Sequence, residues 1–208
     1  MAIVNLSIPI AENTIRSLHV GDQARLHGVI VTARDAAHKY MKDTFFHGSI
    51  PESEQAVHDE LKRLWDGGVM YHCGPVVSRD DAGIWRFVSA GPTTSTREEP
   101  YEADVIAYFG LRAVIGKGGM GPKTLAACQE YGAVYLHAIG GAATLIASYV
   151  KEVLTVYKKD ELGVPEAFWV IRVEGFPAVV TMDAHGQSLH EQMFASSAEK
   201  LAVLIGPH

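Results

Sequence analysis

From Pro100 to Val150 the chain keeps one rhythm. "PYEADVIAYFG" reads as a helix ending on Gly110, and "LRAVIG" as a short apolar strand. "GPKTLAACQEYG" reads as a second helix ending on Gly132. "AVYLHAIG" is then a strand and "GAATLIASYV" a helix. Strands that alternate with single helices belong to crossover units. The rhythm therefore predicts an α/β fold with at least one parallel βαβ unit.

The flanking stretches add to this frame. "IPIAENTIRSLHVGD" opens with an extended piece and a helical turn, and Val20-Gly21-Asp22 reads as a tight turn. Arg25 to Thr32 is rich in β-branched residues, as strands are. "ARDAAHKYMKDTFF" turns helical, with Asp35 in its first turn, where a carboxylate suits the positive helix end. An amphipathic helix is expected from about Glu54 to Trp65, stopped by Gly67-Gly68. "VMYHCGPVV" and "IWRFVSAG" read as two strands around the turn "SRDDAG". "EVLTVYKK" and "FWVIRVEGFPAVVTMDAHG" supply further strands, and "SLHEQMFASSAEKLAVLI" a closing helix. With no repeats, low-complexity tracts or linkers, residues 1–208 read as a single domain.

Composition limits the function classes. Eighteen basic against 24 acidic residues give a net charge of −6, which disfavours broad binding to nucleic acid or anionic membrane. No apolar run approaches the ~20 residues of a membrane span, and the N-terminus lacks a basic stretch followed by a long apolar core. A cytoplasmic protein is the expectation. Cys73 and Cys128 are the only cysteines and form no CxxC pair, so a disulfide scaffold or zinc ribbon does not fit. An iron–sulfur cluster needs three or four thiolates, so this chain holds none unaided.

Three polar clusters fall at strand-to-helix transitions. In "TARDAAHKY", Arg34 and His38 are four apart and share a helical face; a solvated helix start is the plainer alternative. In "GPTTSTR", the hydroxyls from Thr93 to Thr96 precede Arg97. They either cap a helix or present hydroxyls and amides to an anion. "VIGKGGMGPKT" lacks the Walker order GxxxxGK[ST], because Lys117 precedes the glycine pair. It follows a strand and precedes a helix, a frequent ligand position in α/β sheets, although an exposed turn accounts for it equally. Arg34, Arg97 and Lys117 together would suit a small dicarboxylate if their loops converge. In "TMDAHG", Asp183 and His185 lie on one side of an extended chain. They read as a polar turn, with no third or fourth ligand nearby for a metal.

In combination, "TARDAAH", "GPTTSTR", "GKGGMG", "IGGAA", "YKKDELGVPEAFWVIRVEGFP" and "DAHG" resemble, in order and over most of the chain, the β subunit of two-subunit class I fumarate hydratases. The β subunit of L-tartrate dehydratase is similar. The resemblance implies a swivelling β/β/α domain with a mixed sheet and flanking helices. It implies a partner α subunit, in an α2β2 assembly, carrying an oxygen-sensitive [4Fe-4S] cluster on three cysteines with one iron open as Lewis acid. The implied reaction is reversible hydration of fumarate to (S)-malate, with L-tartrate dehydration or a non-catalytic carboxylate-binding module as alternatives. Arg34, Arg97 and Lys117 match the carboxylate-binding positions, and Thr93 matches the base that takes the C3 proton. Asp35, His38, Thr94, Gly116, Gly118, Gly119, Asp183 and His185 are supporting candidates, and no metal ligand is expected on this chain. Glu98, where many relatives carry Met, adds a negative charge beside Arg97. "IGGAA" lacks the extra proline of single-chain enzymes, which favours the two-subunit branch.

Overall fold

A computed structural model describes residues 3–205; residues 1–2 and 206–208, which the one-domain reading includes, lie outside it. The chain runs β1 (Ile3–Ser7), α1 (Glu12–Arg16), β2 (Gln23–Thr32), α2 (Asp35–Phe45), α3 (Glu52–Trp65), β3 (Val69–Tyr71), β4 (Val76–Arg79) and β5 (Trp85–Ser89). It continues through a 3-10 turn (Ser95–Arg97), α4 (Glu99–Phe109), β6 (Ala113–Gly116), α5 (Pro122–Tyr131), β7 (Val134–His137) and α6 (Ala143–Ala147). The last elements are β8 (Val150–Tyr157), α7 (Lys159–Leu162), β9 (Phe168–Met182) and α8 (Leu189–Ile205).

The expected alternation is present. β6 and β7 run parallel, joined by α5, and α4 leads into β6. Gly110 and Gly132 end α4 and α5 in the left-handed conformation, at φ 76° and 65°, which glycine adopts without a Cβ clash. The parallel run continues through β3 to β2, so the main sheet is mixed, of seven strands in the order β1-β2-β3-β6-β7-β9-β8. β9 is antiparallel to β2, β7 and β8. Because it pairs with both β2 and β7, the strands β2, β3, β6, β7 and β9 close into a ring.

Alternation along the strands sorts side chains into two cores. Leu26, Tyr71, Ile115, Leu136, Trp169, Ile171 and Val180 share one. Val31, Met70, Val114, Tyr135 and Val170 point the other way, under α2, α3, α4 and α5. "VMYHCGPVV" was expected as one strand, and it divides. Gly74-Pro75 interrupts it, so β3 joins the main sheet while β4 forms a separate hairpin with β5. Between β3 and β4, His72 bonds through its backbone to Ile115 and Thr93, and Cys73 bridges to Pro92.

The charged stretch from Thr44 to Gly67 is built into the fold. α3 buries Leu61 and Trp65, and the Trp65 ring meets Phe109 edge-on at 4.8 Å. Lys158 ties the start of α3 to the body of the chain through a 2.7 Å ion pair with Glu54. The expected closing helix forms as α8, yet none of its residues is buried. Phe194, Val203 and Leu204 stand exposed on it, so it extends from the fold and does not seal it. No helix among the described residues is long and apolar enough to cross a membrane.

Truncating Trp65 tests whether α3 is integral. Trp65→Ala should cost about 3–5 kcal/mol, as large-to-small changes at buried aromatics do, read from chemical denaturation. A loss below ~1 kcal/mol would make α3 a peripheral addition.

Candidate functional site

The site lies at the carboxyl ends of the parallel strands, where open α/β sheets place ligands. β2 ends at Thr32 and leads to Arg34, the N-terminal flank of α2. β3 ends at Tyr71 and leads to His72. β6 ends at Gly116 and leads to Lys117, and β7 ends at His137 and leads to the IGGAA loop.

Backbone pairing clasps the loops together. The Thr93 amide donates to the His72 carbonyl (2.7 Å), the Lys117 amide to the Thr93 carbonyl (3.2 Å) and the Ser95 amide to the Lys117 carbonyl (3.0 Å). Thr94 and Lys117 thus form a parallel bridge. The Ala90 amide donates to the Ala143 carbonyl at 3.0 Å, which brings the IGGAA loop alongside. Gly140 lies over the Lys117 stem: a Cβ there would stand 3.5 Å from Lys117 Cδ.

Side chains complete the convergence. Arg97 donates from Nη2 to Thr93 Oγ1 at 2.7 Å, and its Nη1 pairs with Asp35 at 3.1 Å. Arg34 pairs with Glu166 at 3.1 Å, and the Ala36 amide donates to the other oxygen of the same carboxylate at 3.1 Å. The Arg34 side chain passes so close to Gly74 that a Cβ there would sit 2.4 Å from Nη1. Among the described residues no carboxylate pairs with the Lys117 ammonium. Side-chain contacts thus join Asp35, Arg97 and Thr93, Lys117 adjoins Thr93 through its backbone, and Arg34 adjoins Asp35 along the chain.

The glycines make this spacing possible. A Cβ on Gly116 would lie 1.8 Å from Ser95 Oγ and 2.8 Å from the Tyr135 hydroxyl. Gly118 and Gly119 take φ of 81° and 79°, a left-handed turn that suits glycine. The phosphate-loop alternative fails on geometry. The amides of Gly121, Lys123 and Thr124 at the start of α5, and the Thr124 hydroxyl, all donate to Glu99 at 2.6–3.3 Å. The helix end that would cradle a phosphate already holds a carboxylate.

Asp183 and His185 have other partners. Asp183 is buried and accepts from the Val20, His185 and Gln187 amides, each at 3.0 Å, which pins a turn. His185 is exposed and stacks on His19 with centroids 4.5 Å apart. None of these contacts reaches Arg34, Arg97 or Lys117.

Glu98 alters the expected charge pattern. Its carboxyl is buried. Burial first, then hydrogen bonding to Asp35, pushes it up to about 8. Burial therefore favours the protonated, uncharged form of Glu98 beside Arg97. Burial also acts to raise Asp35, but the hydrogen bond from Glu98, its own amide and the two arginines hold it below its ordinary value. The pair keeps one proton on Glu98 and the negative charge on Asp35, against Arg97.

A buried network beneath the loops escapes a reading of the sequence. His38 from α2, His72 after β3 and Glu102 from α4 are all buried, with Ser95 beside them. The ring nitrogens and carboxylate oxygen of the two histidines and Glu102 lie within 4.8 Å of one another. His38 belongs to the motif around Arg34, but His72 and Ser95 carry no recognisable pattern. Glu102 leaves a faint signal. It lies three, four and seven residues before Val105, Ile106 and Phe109 on the buried stripe of α4, where an acid requires partners.

The two cysteines are free and buried. Burial pushes the Cys73 thiol up to about 12 and the Cys128 thiol well up too. Two cysteines are fewer than the three or four thiolates that a [4Fe-4S] cluster takes from one chain.

The fumarase C-terminus family matches residues 1–193 of the chain. This chain belongs to that family. It is 50% identical over 200 residues to "Putative fumarate hydratase class I" of Geobacillus stearothermophilus, with 96% of this chain and 36% of that protein covered. The chain thus spans about a third of the length of this relative. It is 39% identical to "Putative L(+)-tartrate dehydratase subunit beta" of Methanocaldococcus jannaschii, covering 95% of this chain and 96% of that one. L(+)-tartrate dehydratase subunit beta of Escherichia coli K12 is 35% identical over 207 residues, covering 98% of this chain and 96% of its own. All the motifs on which the resemblance rests meet at the loop cluster, except "DAHG".

The Glu98 proton sets a pH slope. Folding raises this carboxyl from 4.5 to about 8, so its stabilising contribution is full below pH 4.5 and is lost as pH rises through about 8. Glu98→Gln should remove that slope. From pH 5 to pH 8 its melting temperature should fall less than the wild type's, by about 2–4 °C for each ~1 kcal/mol recovered. Parallel melting curves would show that Glu98 does not hold the proton.

Proposed function

We propose that this chain supplies the carboxylate-binding groups and the base of a hydro-lyase that interconverts fumarate and (S)-malate. The observation that carries the reading is the 2.7 Å hydrogen bond from Arg97 to the Thr93 hydroxyl, beside a lysine with no carboxylate partner. A threonine hydroxyl is a base only if its alkoxide is stabilised, and a charge-assisted bond from a guanidinium does this.

On this reading Arg34, Arg97 and Lys117 grip the two substrate carboxylates. Arg34 is steadied by Glu166 and Arg97 by Asp35, while the Lys117 ammonium remains free to meet substrate as a point charge. In dehydration the C3–H bond breaks and its proton goes to Thr93 Oγ, held as alkoxide by Arg97. In hydration Thr93 returns that proton to C3. The C2 hydroxyl would leave and return with the help of a partner α subunit, which would supply the acid and hold the [4Fe-4S] cluster as Lewis acid. This division is supported by the unsuitability of Cys73 and Cys128 as ligands, and by near full-length similarity to proteins named as β subunits. The same relatives favour a second reading, dehydration of L-tartrate in the same site; its further hydroxyl asks nothing different of the carboxylate grip.

With partner subunit present, Lys117→Ala or Arg97→Ala should lower kcat/KM by roughly 10- to 150-fold, the ~1.5–3 kcal/mol of one charged hydrogen bond. Unchanged kinetics in both would sink the assignment. Thr93→Ala should lower kcat far more than it raises KM, and a wild-type turnover would remove Thr93 as base. Co-purification under nitrogen, with fumarate, malate and tartrate assayed side by side, decides between the two substrates.

A further inference from the structure

The buried network below the loops has a definite order of donors and acceptors. His38 Nδ1 faces the Arg34 carbonyl at 2.8 Å, and its Nε2 faces Glu102 Oε2 at 3.0 Å. The Arg34 carbonyl can only accept, and with Glu102 as carboxylate both ring nitrogens of His38 carry protons. His72 Nε2 donates to the same Glu102 oxygen at 2.9 Å, while its Nδ1 lies 2.8 Å from Ser95 Oγ. Ser95 Oγ accepts from the Tyr135 hydroxyl at 2.9 Å. With the Ser95 proton given to His72 Nδ1, His72 is neutral, the form that burial favours. One chain of bonds runs from Tyr135 on β7, through Ser95, His72, Glu102 and His38, to the Arg34 backbone.

We propose that this chain, built on a buried His38 imidazolium and Glu102 carboxylate, is the positioning network that holds Arg34, Thr93 and Lys117 in mutual register. Three of its five members are each joined to one of the three, while Glu102 links His38 to His72 and Tyr135 bonds Ser95. His38 bonds the Arg34 carbonyl. The His72 carbonyl accepts from the Thr93 amide, and the Ser95 amide donates to the Lys117 carbonyl. Gly116 has no side chain to displace Ser95 from between His72 and Tyr135. The network reaches no substrate atom, so its members position and do not react. The inference rests on reading the loop cluster as the carboxylate site.

The energetics agree with this order. An isolated buried charge is costly, and a buried pair persists when hydrogen bonds offset its desolvation; Glu102 Oε2 accepts from both histidines, while Oε1 has no partner among the described residues. Burial alone would depress His38, yet Glu102, the Arg34 carbonyl and the field of Glu98 raise it. Burial lowers His72 despite Glu102. Burial also acts to raise Glu102, but the two histidines hold it at about 2. The groups facing the two rings are Glu102, Glu98, Asp35 and Tyr101, with the rings edge-on to each other at 5.2 Å. The two histidines bond directly to one carboxylate oxygen at 2.9–3.0 Å.

The test combines ring-nitrogen NMR of the histidine-labelled full chain with kinetics of the complex. At pH 7 His38 should show two protonated ring nitrogens and His72 one, at Nε2. Glu102→Gln should abolish the doubly protonated His38, shift the Thr93 to Lys117 amides, and lower kcat in the complex by about 100-fold, the scale of a ~1 Å misplacement. Glu102→Asp should recover part of that loss. Tyr135→Phe, which removes only the last bond, should fold normally and lower kcat by less than Glu102→Gln does. A neutral His38 in the wild type, unshifted loop amides with wild-type kcat in Glu102→Gln, or stoichiometric zinc in the purified chain would each overturn the proposal. If the wild-type complex has no hydro-lyase activity, the functional reading fails, and the ring-nitrogen signals and loop amide shifts still decide on the network.

Discussion

The position of β9 is the constraint on which the rest depends. This strand, Phe168–Met182, pairs with β2 along one edge and β7 along the other, and so closes the ring of strands. Closure removes the free edges that β2 and β7 would otherwise expose. It also fixes how far apart the carboxyl ends of β2, β3, β6 and β7 can lie, since adjacent strands sit ~4.8 Å apart. Loops leaving these ends have no choice but to meet. The approach of Arg34 and Lys117 is a consequence of that geometry, and Thr93, which follows β5 of the separate hairpin, is drawn in by its backbone bonds to His72 and Lys117.

Much of this was legible in sequence because it is written in local signals. Helix–strand alternation ended by Gly110 and Gly132 forecast the parallel unit, and the polar motifs fell at the strand ends. The ring itself was not legible, because no local pattern states that one long strand will pair on both sides. The split of the strand after Tyr71 was missed for a similar reason. "HCGPVV" is apolar enough to continue, and only the pairing of β4 with β5 shows that it does not.

The candidate site shows the same division. Three cations and Asp35 stand out in the sequence, but the pairing of Asp35 with Arg97 and the role of Glu166 do not. Glu166 comes from a loop 132 positions beyond Arg34, and Asp35 reaches Arg97 across 62. Glu98 was misread for a different reason. Charge was assigned from residue type, whereas burial decides protonation. Glu102 is the deepest omission: an acid inside a helix reads as a solvated face unless its neighbours on the apolar stripe are counted. These residues share one property, that their chemistry is set by partners distant in sequence.

The carboxylate that Glu99 lodges at the start of α5 has a consequence for selectivity. Those amides are met by an anion attached to the same chain, at an effective concentration of millimolar order or above. A free phosphate ester would have to evict a tethered competitor before it could bind. The loop before α5 thus keeps its glycines and its ammonium available while its helix end is insulated from phosphorylated solutes. A dicarboxylate offered to Lys117 competes with nothing of the kind.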